Sequence, residues 1–244
     1  MREPPLFTIA GLSKRYGHRP VLRELTFDLF PRDFVLLLGN NGAGKTTLLK
    51  ILSSLMRPSG GEIRFLDAPL QQSGNDFRRR IGAVFHESHF YGDLTARENL
   101  RLYGAMYGVP DIGRRIEASL AAFGLEDDPE IPVRGFSSGM VKRLAFARLK
   151  LYAPSVLLLD EPYTGLDQNS ADLLDGFLKE FKRSGGLAVM VTHQFSRGVG
   201  FANRILILHR GSLVYNRDAE GITAGQCAQL LEEFAGIAAP PTQK

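Results

Sequence analysis

The stretch GNNGAGKTT, residues 39–47, fits the pattern G-x-x-x-x-G-K-[ST]. An apolar, strand-like run at 34–38 precedes it, and a run with helical apolar spacing follows it from Lys45. The glycines of such a loop let backbone N–H groups converge on phosphate oxygens at a helix N-terminus, where the helix dipole also favours negative charge. Pattern and context together predict a phosphate-binding loop rather than a plain turn.

This loop supplies most of the expected ligand contacts. Lys45 is expected to reach the β- and γ-phosphates of a bound nucleotide, and the hydroxyl of Thr46 is expected to bind Mg²⁺. The predicted nucleotide-binding residues of the loop are Gly39, Asn40, Asn41, Gly42, Ala43, Gly44, Lys45, Thr46 and Thr47.

A second stretch, VLLLDEP at 156–162, is an apolar strand that ends in two carboxylates. Asp160 is the expected partner of the metal, and Glu161 is the expected general base for the attacking water. Alone, an apolar strand that ends in Asp-Glu is common, and half of such cases are ordinary strand ends. The presence of the phosphate-binding loop favours the catalytic interpretation.

His193 ends another apolar run, VMVTH. A histidine in this position is often structural, but ligands of open parallel sheets collect at the carboxyl ends of strands. His193 is therefore expected near Asp160, where its ring can hydrogen-bond the γ-phosphate.

Composition narrows the class of protein. The 244 residues carry a net charge of +4, and the densest basic cluster, Arg78 to Arg80, is interpreted as a solvated face. Aromatic residues do not alternate with basic ones as a nucleic-acid stacking surface requires, so no direct nucleic-acid partner is expected. No apolar run reaches the ~20 residues needed to span a bilayer. The single Cys227 cannot form an internal disulfide, which indicates a reducing compartment.

The pattern of elements predicts an α/β fold with a P-loop NTPase core. Most strands of its main sheet are expected to be parallel, because the runs at 155–159 and 187–191 are apolar throughout. Short strands around turns in the first part predict an antiparallel β subdomain, and the stretch from about 88 to 150 predicts a helical insert. One domain over 1–238 and a flexible tail at 239–244 are expected.

The stretch GFSSGMVKRLAFAR, residues 135–148, places Ser137, Ser138 and Gly139 at a predicted helix start. An N-cap explains the serines locally, because Ser accepts hydrogen bonds from the free N–H groups of a first helical turn. The basic residues Lys142, Arg143 and Arg148 are interpreted as the solvated side of the helix.

Together GNNGAGKTT, FSSGM, LLLDEP, TGLD and VTH occur in the order and at the spacings of an ATP-binding cassette, so the chain resembles the ABC transporter family over nearly its whole length. The resemblance implies that Tyr16 stacks on adenine and that Asp167 belongs to a loop joining two nucleotide sites. It also implies that two cassettes pair head to tail, as a homodimer or with another cassette. Ser137, Ser138 and Gly139 would then contact the ATP held by the partner.

The sequence departs from the family pattern in two places. The signature segment is FSSGM instead of LSGGQ, with Ser138 in place of the first glycine. His86, in VFHES, stands where the family normally has a glutamine that touches Mg²⁺ and the attacking water. An imidazole differs from a carboxamide in length and geometry. We therefore expect His86 to affect the rate of hydrolysis.

Among cassettes, the chain looks most similar to the ATPase subunits of bacterial heme exporters for cytochrome c maturation. The resemblance implies an integral membrane permease as partner and a peripheral location on the cytoplasmic face of the inner membrane, with membrane contact only through that permease. ATPases of other ABC-2-type exporters, of drugs or polysaccharides, remain an alternative. A nucleotide-gated binding module with weak hydrolysis is another.

Overall fold

A computed structural model describes residues 3–86, 89–126 and 131–236. The strands are β1 (Phe7–Tyr16), β2 (Arg19–Leu29), β3 (Phe34–Gly39), β4 (Gly60–Phe65), β5 (Ala68–Pro69), β6 (Ile81–Val84), β7 (Val156–Asp160), β8 (Leu187–Val191), β9 (Arg204–His209) and β10 (Ser212–Asp218). The helices are α1 (Lys45–Leu52), α2 (Gly74–Arg80), α3 (Ala96–Tyr107), α4 (Ile112–Ala121), α5 (Ser138–Tyr152), α6 (Gln168–Arg183), α7 (Phe195–Gly198) and α8 (Ala224–Ala235).

The main sheet has six strands in the order β10-β9-β3-β8-β7-β6. All neighbouring pairs from β9 to β6 are parallel, and only β10 runs antiparallel, against β9. Strands β3, β7 and β8 are buried along their whole length, as expected for parallel strands covered on both faces. This confirms the predicted α/β P-loop NTPase core, and it brings the ends of β3, β7 and β8 to one edge.

A smaller antiparallel sheet in the order β2-β1-β4-β5 forms the predicted β subdomain. Its core includes Phe7 and Phe65, with ring centroids 5.0 Å apart, and Phe77 of α2 packs edge-on against both rings. Helix α1 packs its buried apolar residues into the same core. The phosphate-binding loop is therefore fixed between the two sheets.

The predicted helical insert is confirmed as helices α3, α4 and α5, which share a core of Leu100, Ile116, Leu120 and Leu144. Helix α3 begins with the capping box of its sequence, because Thr95 and Glu98 satisfy each other's backbone N–H groups. The domain limit at 238 and the tail at 239–244 lie outside the described residues, so both stay predictions.

The interpretation of the α5 cations as a solvated face is wrong. Arg143 donates to the carbonyls of Phe123 and Gly124, at 2.9 and 2.6 Å, beyond the end of α4. Arg148 lies over the ring of Tyr103, at 4.9 Å, and donates to the backbone of β6. Lys142 also bonds backbone carbonyls. These side chains fasten α5 to its neighbours, whereas Arg78 to Arg80 are exposed as predicted.

Within the described ranges, every helix is too short or too polar to cross a bilayer.

Candidate nucleotide site

The loop between β3 and α1 depends on glycine at two points. Gly39 has φ 144°, and a Cβ there would lie 2.2 Å from the carbonyl oxygen of Leu208. Gly44 has φ 104°, and its Cβ would lie 2.5 Å from Leu22 Cδ2. Only glycine combines these backbone angles with so close an approach. The loop therefore wraps tightly around the start of α1 and turns its backbone toward a cavity.

That cavity has a volume of about 480 Å³. It collects most of the predicted site residues from the loop, β1, β7 and the segment after β8. Its lining residues are Tyr16, Arg19, Val21, Asn41, Gly42, Gly44, Lys45, Thr46, Thr47, Asp160, Glu161, Val191 and His193. Gly39, Asn40 and Ala43 belong to the same loop but do not line the cavity.

Arg19 is a cavity residue that the sequence did not single out. It pairs with Tyr16 across the β1–β2 turn, and both residues line the cavity. The register of a hairpin is a local signal, so the position next to Tyr16 could have identified it.

The buried ammonium of Lys45 donates to the carbonyls of Gly39 and Asn40, at 2.7 and 3.0 Å. Burial lowers the pKa of Lys45, and the carboxylates of Glu161 and Asp160 oppose that shift. The side chain of Asn40 points elsewhere, since its amide donates to the carbonyl of Ala235 at 3.2 Å. Lys45 is thus held at the loop, and Asn40 offers only its backbone.

Asp160 and Thr46 form the candidate metal pair. The Thr46 hydroxyl donates to Asp160 Oδ2 at 2.7 Å, and Asp160 is only 8% exposed. A hydroxyl and a carboxylate are oxygen ligands of the type that Mg²⁺ prefers, with substrate phosphates and waters completing its shell. In the ranges the structure covers, no cluster of three or more His, Cys, Asp or Glu could hold a metal by itself. The donor set therefore fits a metal that arrives with a nucleotide.

Glu161 has an unusual backbone and a partly unsatisfied side chain. Its φ is 50°, its N–H donates to the carbonyl of Val191 at 2.9 Å, and its Oε2 accepts the N–H of His193 at 3.2 Å. Its Oε1 is buried without a hydrogen bond and lies 3.5 Å from His193 Nε2. Burial raises the pKa of Glu161, while His193 acts in the opposite direction. A carboxylate with a raised pKa and a free oxygen is a stronger base than an ordinary glutamate.

The sequence did not predict a hydrogen-bond network formed by Tyr163, Asp175 and Arg197. The Tyr163 hydroxyl donates to Asp175 Oδ1 at 2.7 Å, and Arg197 Nη1 donates to Asp175 Oδ2 at 2.6 Å. The Arg197 guanidinium also lies 5.4 Å from the Tyr163 ring centroid. Burial raises the pKa of Tyr163, so its phenol stays protonated as a donor. The network joins the segment after Glu161 to helix α7, which begins two residues after His193.

Tyr16 forms part of the cavity wall and is 49% exposed. Its hydroxyl lies 3.1 Å from Met56 Sδ, and Lys14 Nζ lies 5.4 Å from its ring centroid. An exposed aromatic ring at the cavity wall is suited to stacking on a planar ligand.

The segment FSSGM lies outside this cavity. Ser137 is the N-cap of α5, because its hydroxyl accepts the N–H of Met140 at 3.3 Å. Ser138 is the first helical residue, and its hydroxyl makes no hydrogen bond within the described part of the chain. The cap explanation therefore fits Ser137 and does not account for Ser138. Asp167 caps α6 by accepting the N–H of Ser170 at 2.7 Å, and that bond lowers the pKa of Asp167.

His86 is exposed just after β6 and is absent from the residues that line the cavity. Its neighbours 87–88 fall outside the described ranges. The structure thus brings Glu161 and His193 together at the cavity and leaves His86 outside it.

The comparisons with known proteins agree with this geometry. The chain is 31% identical over 224 residues to the ABC transporter ATP-binding protein NatA of Bacillus subtilis, covering 89% of the chain and 91% of NatA. It is 38% identical over 183 residues to the cytochrome c biogenesis ATP-binding export protein CcmA 2 of Cupriavidus metallidurans, covering 75% of the chain and 87% of CcmA 2.

A solved ATP-binding subunit of an ABC transporter superposes with a TM-score of 0.84 at 27% identity, covering 93% of this chain and 99% of that one. The ABC transporter family model matches residues 22–164, which is more than half of the chain. The cassette motifs, the cavity and these matches agree: the chain belongs to the ABC transporter family and is an ATPase of that family.

Proposed function

We propose that this ATPase pairs head to tail with a second cassette and powers a membrane exporter, specifically the export of heme for cytochrome c maturation. The observation that carries the catalytic part is the buried Oε1 of Glu161, which accepts no hydrogen bond and lies at the cavity that holds Lys45 and the Thr46–Asp160 pair. The similarity to the cytochrome c biogenesis export protein CcmA 2 supports an export step in cytochrome c maturation, for which the family resemblance of the sequence implies heme.

In this proposal the loop N–H groups and Lys45 hold the ATP phosphates, and Thr46 and Asp160 hold Mg²⁺. The metal supplies neutralisation of the phosphate charge. Glu161 orients a water and takes its proton as the water oxygen bonds to the γ-phosphorus. The bond from that phosphorus to the bridging oxygen of ADP breaks, which yields ADP and phosphate. His193, next to Glu161, donates to the γ-phosphate.

Pairing gives Ser138 a role that its own chain does not. Its hydroxyl has no partner in the described residues, and α5 begins there without an acidic side chain in its first turn. A helix N-terminus with a free hydroxyl favours an anion. Ser137, Ser138 and Gly139 would meet the γ-phosphate held by the other cassette, while Tyr16 stacks on the adenine and Asp167 lies between the two sites.

A groove of about 540 Å³ between the core and the helical insert supports a permease partner. Apolar Leu55 and Met106 are exposed there, at 61% and 68%, beside the rings of Tyr103 and Tyr107. Exposed apolar side chains along a groove favour a protein partner over solvent. In this proposal the chain sits on the cytoplasmic face of the inner membrane and contacts the bilayer only through that permease.

Heme export is tested in cells that lack this chain. We expect the chain to co-purify with the membrane protein encoded beside it, and we expect its loss to abolish covalent heme in c-type cytochromes. The parent gene should restore that heme and the Lys45→Ala gene should not. Normal c-type cytochromes in the deletion strain would contradict heme export and favour a drug or polysaccharide exporter, while leaving the ATPase assignment intact.

The alternative of a nucleotide-gated module with weak hydrolysis rests on His86. If His86 replaces the usual glutamine functionally, we expect His86→Gln to bind ATP as the parent does and to preserve or raise single-turnover hydrolysis. His18→Gln, at an exposed turn outside the cavity lining, is the matched control. A His86→Ala protein with the parent's rate and the parent's coupling to its permease would show that this histidine is a bystander.

A further inference from the structure

Lys142 links two parts of the molecule that serve different nucleotides in the proposed pair. It lies on α5, one turn after Ser138, and its ammonium donates to the backbone carbonyls of Glu161 and Thr164, both at 2.8 Å. Hydrogen bonds from a charged donor are stronger than neutral ones, so these two bonds hold the segment that follows β7.

That segment needs to be held. Glu161 adopts φ 50°, a conformation that residues other than glycine rarely adopt and that the surrounding structure has to stabilise. The carbonyl that Lys142 contacts at this residue also accepts the N–H of Thr164, at 3.3 Å. The lysine thus fixes the backbone from which the catalytic carboxylate projects.

The start of α5 contacts the same segment directly. A Cβ on Gly139 would lie 3.3 Å from the carbonyl oxygen of Gly165, and a Cβ on Gly165 would lie 3.8 Å from Ser138 Oγ. The first two turns of α5 therefore contact the loop 161–167, which connects Glu161 to Asp167. There is thus little free space between the start of the helix and the loop.

We propose that Lys142 is a positioning residue that locks the loop 161–167 to the start of α5. The inference rests on the proposed pairing, in which the start of α5 contacts the ATP of the other cassette. Engagement of that ATP then sets the position of Glu161 at the chain's own ATP.

The first test removes the ammonium and then restores it. We expect Lys142→Met to lower kcat about 10- to 100-fold with KM within twofold of the parent, because small misplacements of a catalytic group cost rate rather than binding. Lys142→Cys should lose activity in the same way, and alkylation with 2-bromoethylamine, which rebuilds an ammonium at the same length, should restore most of it. Cys227 is buried and burial raises its pKa to about 11, so it stays unreactive at pH 8.

Lys150→Met is the matched control. Lys150 lies two turns further along α5 and pairs with Glu180 at 3.0 Å, away from the loop. The turnover of the Lys150→Met protein should stay within twofold of the parent's. A folded Lys142→Met protein with the parent's kcat would overturn the proposal, and so would a lost activity that aminoethylation of the Lys142→Cys protein fails to restore.

A second measurement does not need turnover. Hydrogen exchange of the amides in 161–167 should be faster in nucleotide-free Lys142→Met than in the parent, and unchanged in Lys150→Met. Equal exchange in all three proteins would overturn the lock. A parent that fails to hydrolyse ATP while Lys142→Met shows the faster exchange would contradict the proposed function and leave the lock supported.

Discussion

Glu161→Gln slows ATP turnover about 10²- to 10⁴-fold and leaves ATP binding intact, if Glu161 is the general base. Glutamine has the same length and still offers an oxygen to the N–H of His193, but it cannot take a proton from water. ATP that binds without being hydrolysed should trap the pair, so the variant should accumulate as an ATP-bound dimer. Steady-state hydrolysis and size-exclusion chromatography with ATP measure both effects.

Glu62→Gln is the control, because Glu62 is exposed in the β subdomain and forms a salt bridge with Arg64. It should hydrolyse ATP at the parent rate. If Glu161→Gln does the same, the base is another group, and the raised pKa of Glu161 has no catalytic use.

Thermal unfolding shows whether a slow Glu161→Gln protein is still folded. Burial raises the pKa of Glu161 in the folded chain, so the proton binds more tightly there than in the unfolded chain. Ionisation of this group destabilises the fold as pH rises from the ordinary glutamate pKa of about 4.3 through the raised value. The amide does not ionise, so the variant should melt at or above the parent's temperature at neutral pH, and the difference should vanish at acid pH.

Features encoded by adjacent residues could be predicted from the sequence. The phosphate-binding loop, Asp160 at the end of β7 and the capping box of Thr95 and Glu98 each depend on a few neighbouring side chains and on backbone geometry that those residues favour. The edge shared by Asp160 and His193 followed from the topology of a parallel sheet.

Partners brought together by tertiary packing could not be predicted. Arg143 bonds carbonyls 19 and 20 residues away, and Arg197 meets Asp175 across 22 residues. The pattern of one helix alone predicts that a basic side chain on its polar face is solvated. Long basic side chains nevertheless often reach backbone carbonyls of neighbouring elements. Whether Ser137 or Ser138 caps α5 depends on which residue begins the helix, and sequence patterns do not predict a helix boundary to within one residue.

A mixture of two inactive proteins should recover ATPase activity if Ser138 acts on the partner's nucleotide. Lys45→Ala removes the proposed phosphate ligand of its own site, and Ser138→Arg places a bulky side chain where the partner's γ-phosphate would lie. Each protein alone should be inactive, and Ser138→Arg should still bind ATP as a monomer. In a mixed head-to-tail pair one site carries both lesions and the other carries neither.

At equal mixing, half of the pairs are mixed and each has one intact site of two, so independent sites would restore about a quarter of the parent activity. Lys45→Ala mixed with Glu161→Gln is the control. Both lesions lie in the half of a site that carries the phosphate-binding loop, so every site in that mixture stays defective.

Replacing Ser137 by alanine, in contrast, removes the observed cap and should cost about 0.5–2 kcal/mol of stability.

The outcome separates two roles that the same stretch of sequence allows. Recovery in the first mixture and not in the control would place Ser138 opposite the other chain's phosphate-binding loop. Absence of recovery at every mixing ratio, with mixed pairs demonstrated by cross-linking, would argue against independent composite sites. Full activity of Ser138→Arg alone would show that Ser138 is an ordinary residue of the first turn. Ser137 already caps the N-terminus of α5 by accepting the N–H of Met140.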